Sequence, residues 1–196
     1  MVKGIGVCMK GPEWYDKKFQ LQRYKEHYSN SVYYNLWAHV LSLISPVEPI
    51  LELGCGTGQF AHYAIDKGYN YLYGTDFSPV AIQTCIDRIG CGYNDKFLVN
   101  DVITTTGGKN WTVVCLEVLE HIEWEKDQDG REKDVEVCKK YEENHFIFSV
   151  PDFNSESHVR HFPTLRSVID RYGFLNITQV IPVRIKKNTI WLVEVN

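Results

Sequence analysis

Short apolar runs and stretches of helical spacing take turns along most of this 196-residue chain. Strands are expected at Pro49–Leu53, Tyr71–Thr75, Lys96–Val99, Trp111–Leu116 and His145–Val150, apolar runs of the kind that strands buried on both faces produce. Between them the spacing predicts helices over Gln59–Lys67 and Pro79–Ile89, the second opened by Ser78 as N-cap with Pro79 in first position. A further helix over Thr164–Tyr172 closes at Gly173. The last two runs, Leu175–Val183 and Thr189–Val195, alternate apolar and polar residues across Lys186-Lys187-Asn188, which predicts an antiparallel hairpin. Such alternation gives an α/β unit, a mostly parallel sheet with helices on both faces. Residues 1–45 read as a helical lead-in or lid, rich in aromatics from Trp14 to Trp37 and part of the same domain as the 46–196 unit.

The first strand runs straight into Gly54-Cys55-Gly56-Thr57-Gly58-Gln59. Three glycines remove side chains where the backbone must bend sharply and approach a ligand, and a helix then starts with its N-terminus facing that ligand. A dinucleotide fingerprint needs glycine or alanine where Gln59 stands, so the order G-x-G-x-G argues against it. Asp76 follows 18 residues after Gly58, at the end of the second strand. Its two acceptor oxygens suit a ribose with two free hydroxyls; the competing role for it is a turn or helix-cap acid ahead of Ser78-Pro79.

The arrangement Glu52-x-Gly54-x-Gly56-x-Gly58 resembles motif I of the class I S-adenosylmethionine (SAM)-dependent methyltransferases. The resemblance runs from about Tyr15 to the C-terminus and is specific in two places, Leu51–Asp76 and Cys115–Ile122. It implies a Rossmann-like, seven-stranded, mostly parallel sheet ending in the antiparallel hairpin, and SAM as cofactor. Glu52, Gly54, Cys55, Gly56 and Gly58 would line the methionine end, Asp76 would hold the ribose with Phe77 beside it, and Asp101 with Val102 would meet the adenine. Cys115-Leu116-Glu117-Val118-Leu119-Glu120-His121-Ile122 is similar to the E-x-L-E-H-[IV] segment of ubiquinone-biosynthesis O-methyltransferases. Leu116 and Glu117 would then border the sulfonium, and the acceptor would be an oxygen or nitrogen of a small molecule.

Glu117, Glu120 and His121 should gather where the acceptor sits. Methyl transfer from SAM is an in-line displacement, so the protein holds donor and acceptor in line and, for a hydroxyl, removes its proton. His121, with Glu117 next to it, is the candidate base; the competing role for Glu120 and His121 is to fix the strand-to-helix turn. Tyr15, Asp152, His158 and Arg160 are candidate substrate contacts, Arg160 as a fork for a carboxylate or phosphate, or else as a salt-bridge group. Trp14 and Tyr28 join Tyr15 as candidate lid residues. Glu117, Glu120, His121 and either His158 or His161 would also be similar to the metal site of small-RNA 3′-end 2′-O-methyltransferases. The same segments also look like the metal-free small-molecule subgroup, which is the reading preferred, so no metal is assigned. Two alternatives stand beside the main reading: metal-assisted RNA 2′-O-methylation, and a SAM-binding module without catalysis.

Composition narrows these choices. Twenty-one Lys and Arg against 25 Asp and Glu leave a formal charge of −4, which argues against a broadly basic nucleic-acid surface and for a small-molecule acceptor. Six cysteines without a C-x-x-C pair suggest neither a zinc site nor a redox motif. No stretch approaches the roughly 20 apolar residues of a membrane span, and a cytoplasmic location is expected. Two features depart from the family pattern: the glycine turn before the fifth strand is absent, and Glu123–Glu143 carries dense charge of both signs, read as a solvated helix and loop.

Overall fold

The computed structural model describes residues 10–70, 72–122 and 132–196. A seven-stranded sheet in the order β3-β2-β1-β4-β5-β7-β6 organises them. Strands β1 (Ile50–Leu53), β2 (Leu72–Asp76), β3 (Phe97–Val99), β4 (Thr112–Leu116) and β5 (His145–Pro151) are mutually parallel. β6 (Ile177–Ile185) and β7 (Asn188–Val195) form the expected hairpin, and β7 runs antiparallel to β5. All four residues of β1 are buried, as a central parallel strand requires. The hairpin turns tightly, with Ile185 paired to Asn188 and Lys186 in left-handed backbone at φ 55°. Tyr71, expected to open the second strand, lies outside the described residues.

Two apolar layers cover the sheet. On one face α3 (Tyr34–Ser42), α4 (Gln59–Asp66) and α5 (Pro79–Ile89) pack Leu36, Val40, Phe60, Ala64 and Ile82 over Ile50, Val114 and Ile147. On the other, α6 (Lys133–Lys140) and α7 (Leu165–Tyr172) pack Val137, Cys138, Val168 and Tyr172 over Leu53, Val113 and Phe148. The helix starts follow their sequence signals. Ser78 Oγ accepts from the Ala81 amide at 3.0 Å, and Thr164 forms a capping box with Ser167. Gly173 closes α7 in right-handed backbone at φ −68°; glycine is needed there for space, since a Cβ would lie 2.5 Å from the Ile169 carbonyl oxygen. Two short helices, α1 (Pro12–Phe19) and α2 (Gln22–Lys25), precede these layers and bury none of their residues. No helix among the described residues is long and apolar enough to cross a membrane.

The charged connection departs from expectation. Residues 123–131 lie outside the described set, but α6 is a core helix rather than a solvated one. Its Asp134 is fully buried and binds Arg160 Nη1 at 2.8 Å, Arg171 Nη2 at 2.5 Å and the Tyr172 hydroxyl at 3.0 Å. A charge run hides such a residue, because a buried carboxylate is tolerated only when distant partners surround it. Removing the carboxylate in Asp134→Ala takes a buried partner from Arg160, Arg171 and the Tyr172 hydroxyl at once and should cost about 3–5 kcal/mol of stability, read from urea unfolding midpoints.

Candidate functional site

The chain leaves β1 toward one edge of the sheet and β4 toward the other, so a crevice opens at their carboxyl ends, where open α/β sheets bind ligands. The glycine turn forms one wall. Gly54 and Cys55 amides both donate to the Thr75 carbonyl, at 2.7 and 2.9 Å, tying the turn to β2. Gly54, Gly56 and Gly58 have φ of 70°, 53° and 72°, a region L side chains avoid. A Cβ at Gly54 would lie 2.4 Å from Val118 Cγ2, and one at Gly58 would lie 2.3 Å from Cys85 Sγ. Two of the three glycines therefore serve close packing, with the turn after β4 and with α5, whereas a Cβ at Gly56 would meet only the Phe19 ring, at 3.4 Å.

Asp76 stands at the centre of this wall. Its Oδ2 accepts from the Gly56 amide and its Oδ1 from the Ser78 amide, both at 2.9 Å. Burial pushes its carboxyl up to about 6 against the pull of those two N–H bonds, with Asp16 adding repulsion. Each oxygen retains a lone pair, so the acid can shape the turn and still accept a ligand hydroxyl. Beneath the turn Glu52 is buried, and its Oε2 has no hydrogen-bond partner among the described residues. A left-handed glycine backbone, a buried carboxylate with spare lone pairs and an orphaned carboxylate oxygen fit a cofactor carrying both a ribose and a cationic amino-acid end. Phe77 is half-buried next to Asp76, with the Tyr15 ring 5.1 Å away. Asp101 is half-buried and accepts from the Ile103 amide at 2.9 Å, and Val102 packs against the second apolar layer.

Opposite lies the turn after β4. Leu116 packs on the first apolar layer, and Glu117 adopts left-handed backbone at φ 56°, a conformation a bulky residue keeps only when its surroundings hold it. Ser149 of β5 does so: its Oγ accepts from the Glu117 amide at 3.0 Å and donates to Glu117 Oε1 at 2.9 Å. Desolvation raises the Glu117 carboxyl to about 8, with the Ser149 bond opposing. Glu120, in a 3-10 turn over Leu119–His121, is fully buried, and neither of its carboxylate oxygens has a hydrogen-bond partner among the described residues. Burial and then the Glu117 charge hold it well above the ordinary carboxylate range.

Two imidazoles face that carboxylate. His121 Nδ1 lies 2.8 Å from the Ser157 carbonyl oxygen, and His158 Nδ1 lies 3.1 Å from that of Phe153. A carbonyl only accepts, so each Nδ1 carries the hydrogen and each Nε2 presents a lone pair. Those Nε2 atoms are 3.7 and 4.0 Å from Glu120 Oε1. Burial lowers His121 to about 4 and lowers His158 as well, so both rings are neutral near pH 7. Glu120, His121 and His158 offer ligand atoms within 4.8 Å of one another. Ligands on a small divalent ion stand roughly 3–3.5 Å apart for bonds of about 2.1 Å, so a slight inward shift would close this set on a cation.

The remaining expectations divide. Tyr15 reaches the cluster, its ring 5.9 Å from His121. Trp14 packs edge-on against Tyr15, whereas the Tyr28 hydroxyl bonds Asp66 on α4 at 2.7 Å and takes it away from the crevice. Arg160 corrects the substrate-fork expectation: Nη1 is held by buried Asp134 and by the Leu119 carbonyl at 3.0 Å. It staples the loop that carries His158 to the turn that carries Glu120, and the Val159 amide adds a bond to the Glu120 carbonyl at 2.9 Å. His161 is exposed, so His158 is the histidine that joins the cluster. Asp152 is half-buried and pairs through its backbone with Thr189. Tyr33 was not singled out for the site; burial, then Glu117 and Glu120, hold its phenol well above the ordinary value, which puts it near both acids. Ser149 was missed as well, and its one signal was a hydroxyl at the carboxyl end of an apolar strand.

Residues 50–140 match the family model for a methyltransferase domain. Over 75 residues the chain is 33% identical to an eEF1A lysine and N-terminal methyltransferase homolog of Drosophila pseudoobscura pseudoobscura, a match spanning 38% of this chain and 11% of that protein. Magnesium protoporphyrin IX methyltransferase from Synechocystis PCC 6803 with bound SAM superimposes with a TM-score of 0.61 at 15% identity, over 96% of this chain and 99% of that one. N-methyltransferase NodS from Bradyrhizobium japonicum WM9, with S-adenosylhomocysteine, gives 0.64 at 15% identity, over 93% and 97%. Residues 50–140 thus match a methyltransferase domain, and the chain shares the seven-stranded fold of these solved methyltransferases.

Proposed function

We propose that the protein transfers a methyl group from SAM to an oxygen or nitrogen of a small-molecule acceptor held between the glycine turn and the Glu117–His121 turn. The observation that carries this reading is the meeting, in one crevice, of the Asp76 cradle with a desolvated cluster of one carboxylate and two imidazoles. Bound SAM supplies an activated methyl. The protein's own part is to hold the ribose through Asp76, to exclude water with Tyr15 and Phe77, and to take a proton from the acceptor at His121 Nε2. Ser157 fixes that ring in the required tautomer. A small acceptor agrees with the net charge of −4 and with relatives named for magnesium protoporphyrin IX methylation and N-methylation. Glu52, Gly56, Asp101, Val102 and Leu116 are the further cofactor contacts on this reading, and residues 10–45 belong to the same domain as its lid.

A second reading rests on the orphaned Glu120 oxygens. Glu120, His121 and His158, with Glu117 close by, would hold a divalent cation, which would polarise an acceptor oxygen in place of a proton-accepting histidine. It suits an acceptor with two adjacent oxygens.

Calorimetric titration with S-adenosylhomocysteine should give one site per chain in wild type and at least about tenfold weaker binding in Asp76→Ala. No binding to wild type would leave the cradle serving another ligand. Because Asp76 sits at about 6 and only its ionised form accepts both hydroxyls, affinity should be flat above pH 7. It should fall as pH drops through 6, approaching tenfold per unit, and Asp76→Asn should abolish that slope. Titration with Mn²⁺ separates the two roles of the cluster. Binding that weakens about 10–100-fold in Glu120→Gln and His158→Ala supports the cation, and its absence leaves His121 as the base.

A further inference from the structure

The segment containing α1 and α2 crosses the mouth of the cradle, yet neither helix buries a residue. What ties down its α2 end is polar and converges on a few backbone carbonyls. Thr57 Oγ1 donates to the Tyr24 carbonyl at 2.8 Å, and Gln59 Nε2 donates to the Glu26 carbonyl at 3.1 Å. Arg88, in the last turn of α5, spans both sides of the joint. Its Nε donates to the Thr57 carbonyl at 2.8 Å, its Nη2 to Tyr24 at 2.6 Å and its Nη1 to Glu26 at 2.8 Å. A planar guanidinium can hold three carbonyls in fixed directions, which an ammonium cannot. Among the described residues no carboxylate forms a salt bridge with Arg88, so its charge is met by carbonyls that water can replace.

The far end of the same segment faces the site. Phe19 lies against Gly56, Asp16 accepts from Ser78 Oγ at 2.5 Å next to Asp76, and Tyr15 covers Phe77 and His121. Seating residues 24–26 therefore seats residues 15–19 over the crevice. Thr57 and Gln59 are the positions of the glycine motif to which the motif itself assigns no ligand contact.

We propose that Arg88, with Thr57 and Gln59, forms a positioning latch that fixes residues 10–26 across the cradle and sets how long a bound cofactor stays. The latch rests on the reading that the cradle binds SAM. Arg88 itself touches no cofactor; it acts through the strap. A polar, water-replaceable hold suits a lid that must open each time product leaves.

Two readouts test the latch in the full chain. Stopped-flow dissociation of S-adenosylhomocysteine should speed up about tenfold in Arg88→Met, the worth of one lost charge-assisted hydrogen bond, with Arg88→Lys intermediate. Limited trypsin digestion of the unliganded chain should cut faster at Lys17, Arg23 and Lys25, all exposed on the strap, in Arg88→Met than in wild type. Gln59→Leu leaves α5 untouched and should move both readouts in the same direction. It decides the matter if Arg88→Met loses its melting transition. Unchanged dissociation and unchanged cleavage in these variants overturn the latch. A wild type that binds no S-adenosylhomocysteine overturns the cofactor reading instead, and the cleavage comparison still decides whether Arg88 holds the strap.

Discussion

The sharp left-handed turn after β1, pinned by two amides on the Thr75 carbonyl, is the constraint from which the site follows. It brings Gly56 within reach of the Asp76 carboxylate, starts α4 at Gly58, and leaves no room for a side chain at Gly54 beside Val118. Three elements are thereby held at one point: the end of β1, the end of β2 and the turn after β4. A substitution in this turn would disturb packing and ligand approach together. Glycine is required here on both counts.

The opposite wall shows how a polar cluster survives inside an apolar fold. The Glu120 carboxylate has no hydrogen-bonding partner among the described residues, and burial alone would make its ionised form costly. The cluster is held from outside. Asp134 binds Arg160, Arg160 binds the Leu119 carbonyl, and the Val159 amide binds the Glu120 carbonyl, so the two loops are locked together where the imidazoles meet. The fold spends a buried ion pair on geometry rather than on stability, consistent with the small net worth of such pairs. The strained Glu117 backbone belongs to the same economy of position, because Ser149 fixes it from the neighbouring strand.

The N-terminal segment divides its contacts along its length. Residues near Tyr15 and Phe19 present aromatic edges to the crevice, while residues 24–26 offer only their carbonyls to α5 and the glycine turn. The aromatics that do enter the core, Trp37 among them, stand in α3, where helical spacing carries them onto the sheet. Aromatic richness alone did not distinguish these fates.

By itself the amino-acid sequence determined the sheet, its hairpin, the helix caps and the glycine turn that meets Asp76. These depend on local periodicity, on turn residues and on a glycine pattern whose spacing has few other uses: Ser78 caps α5 and Asp76 ends β2 as their neighbours dictate. Tertiary structure alone decided which histidine faces Glu120, that Arg160 is a staple rather than a substrate fork, and that Asp134 is buried within a charged run. Each of those outcomes is set by a partner some 26 to 41 residues away in the chain, as between Asp134 and Arg160 or Leu119 and Arg160. A side chain's neighbours along the sequence do not reveal whether burial will be compensated, and that compensation is what separates a surface charge from a structural or catalytic one.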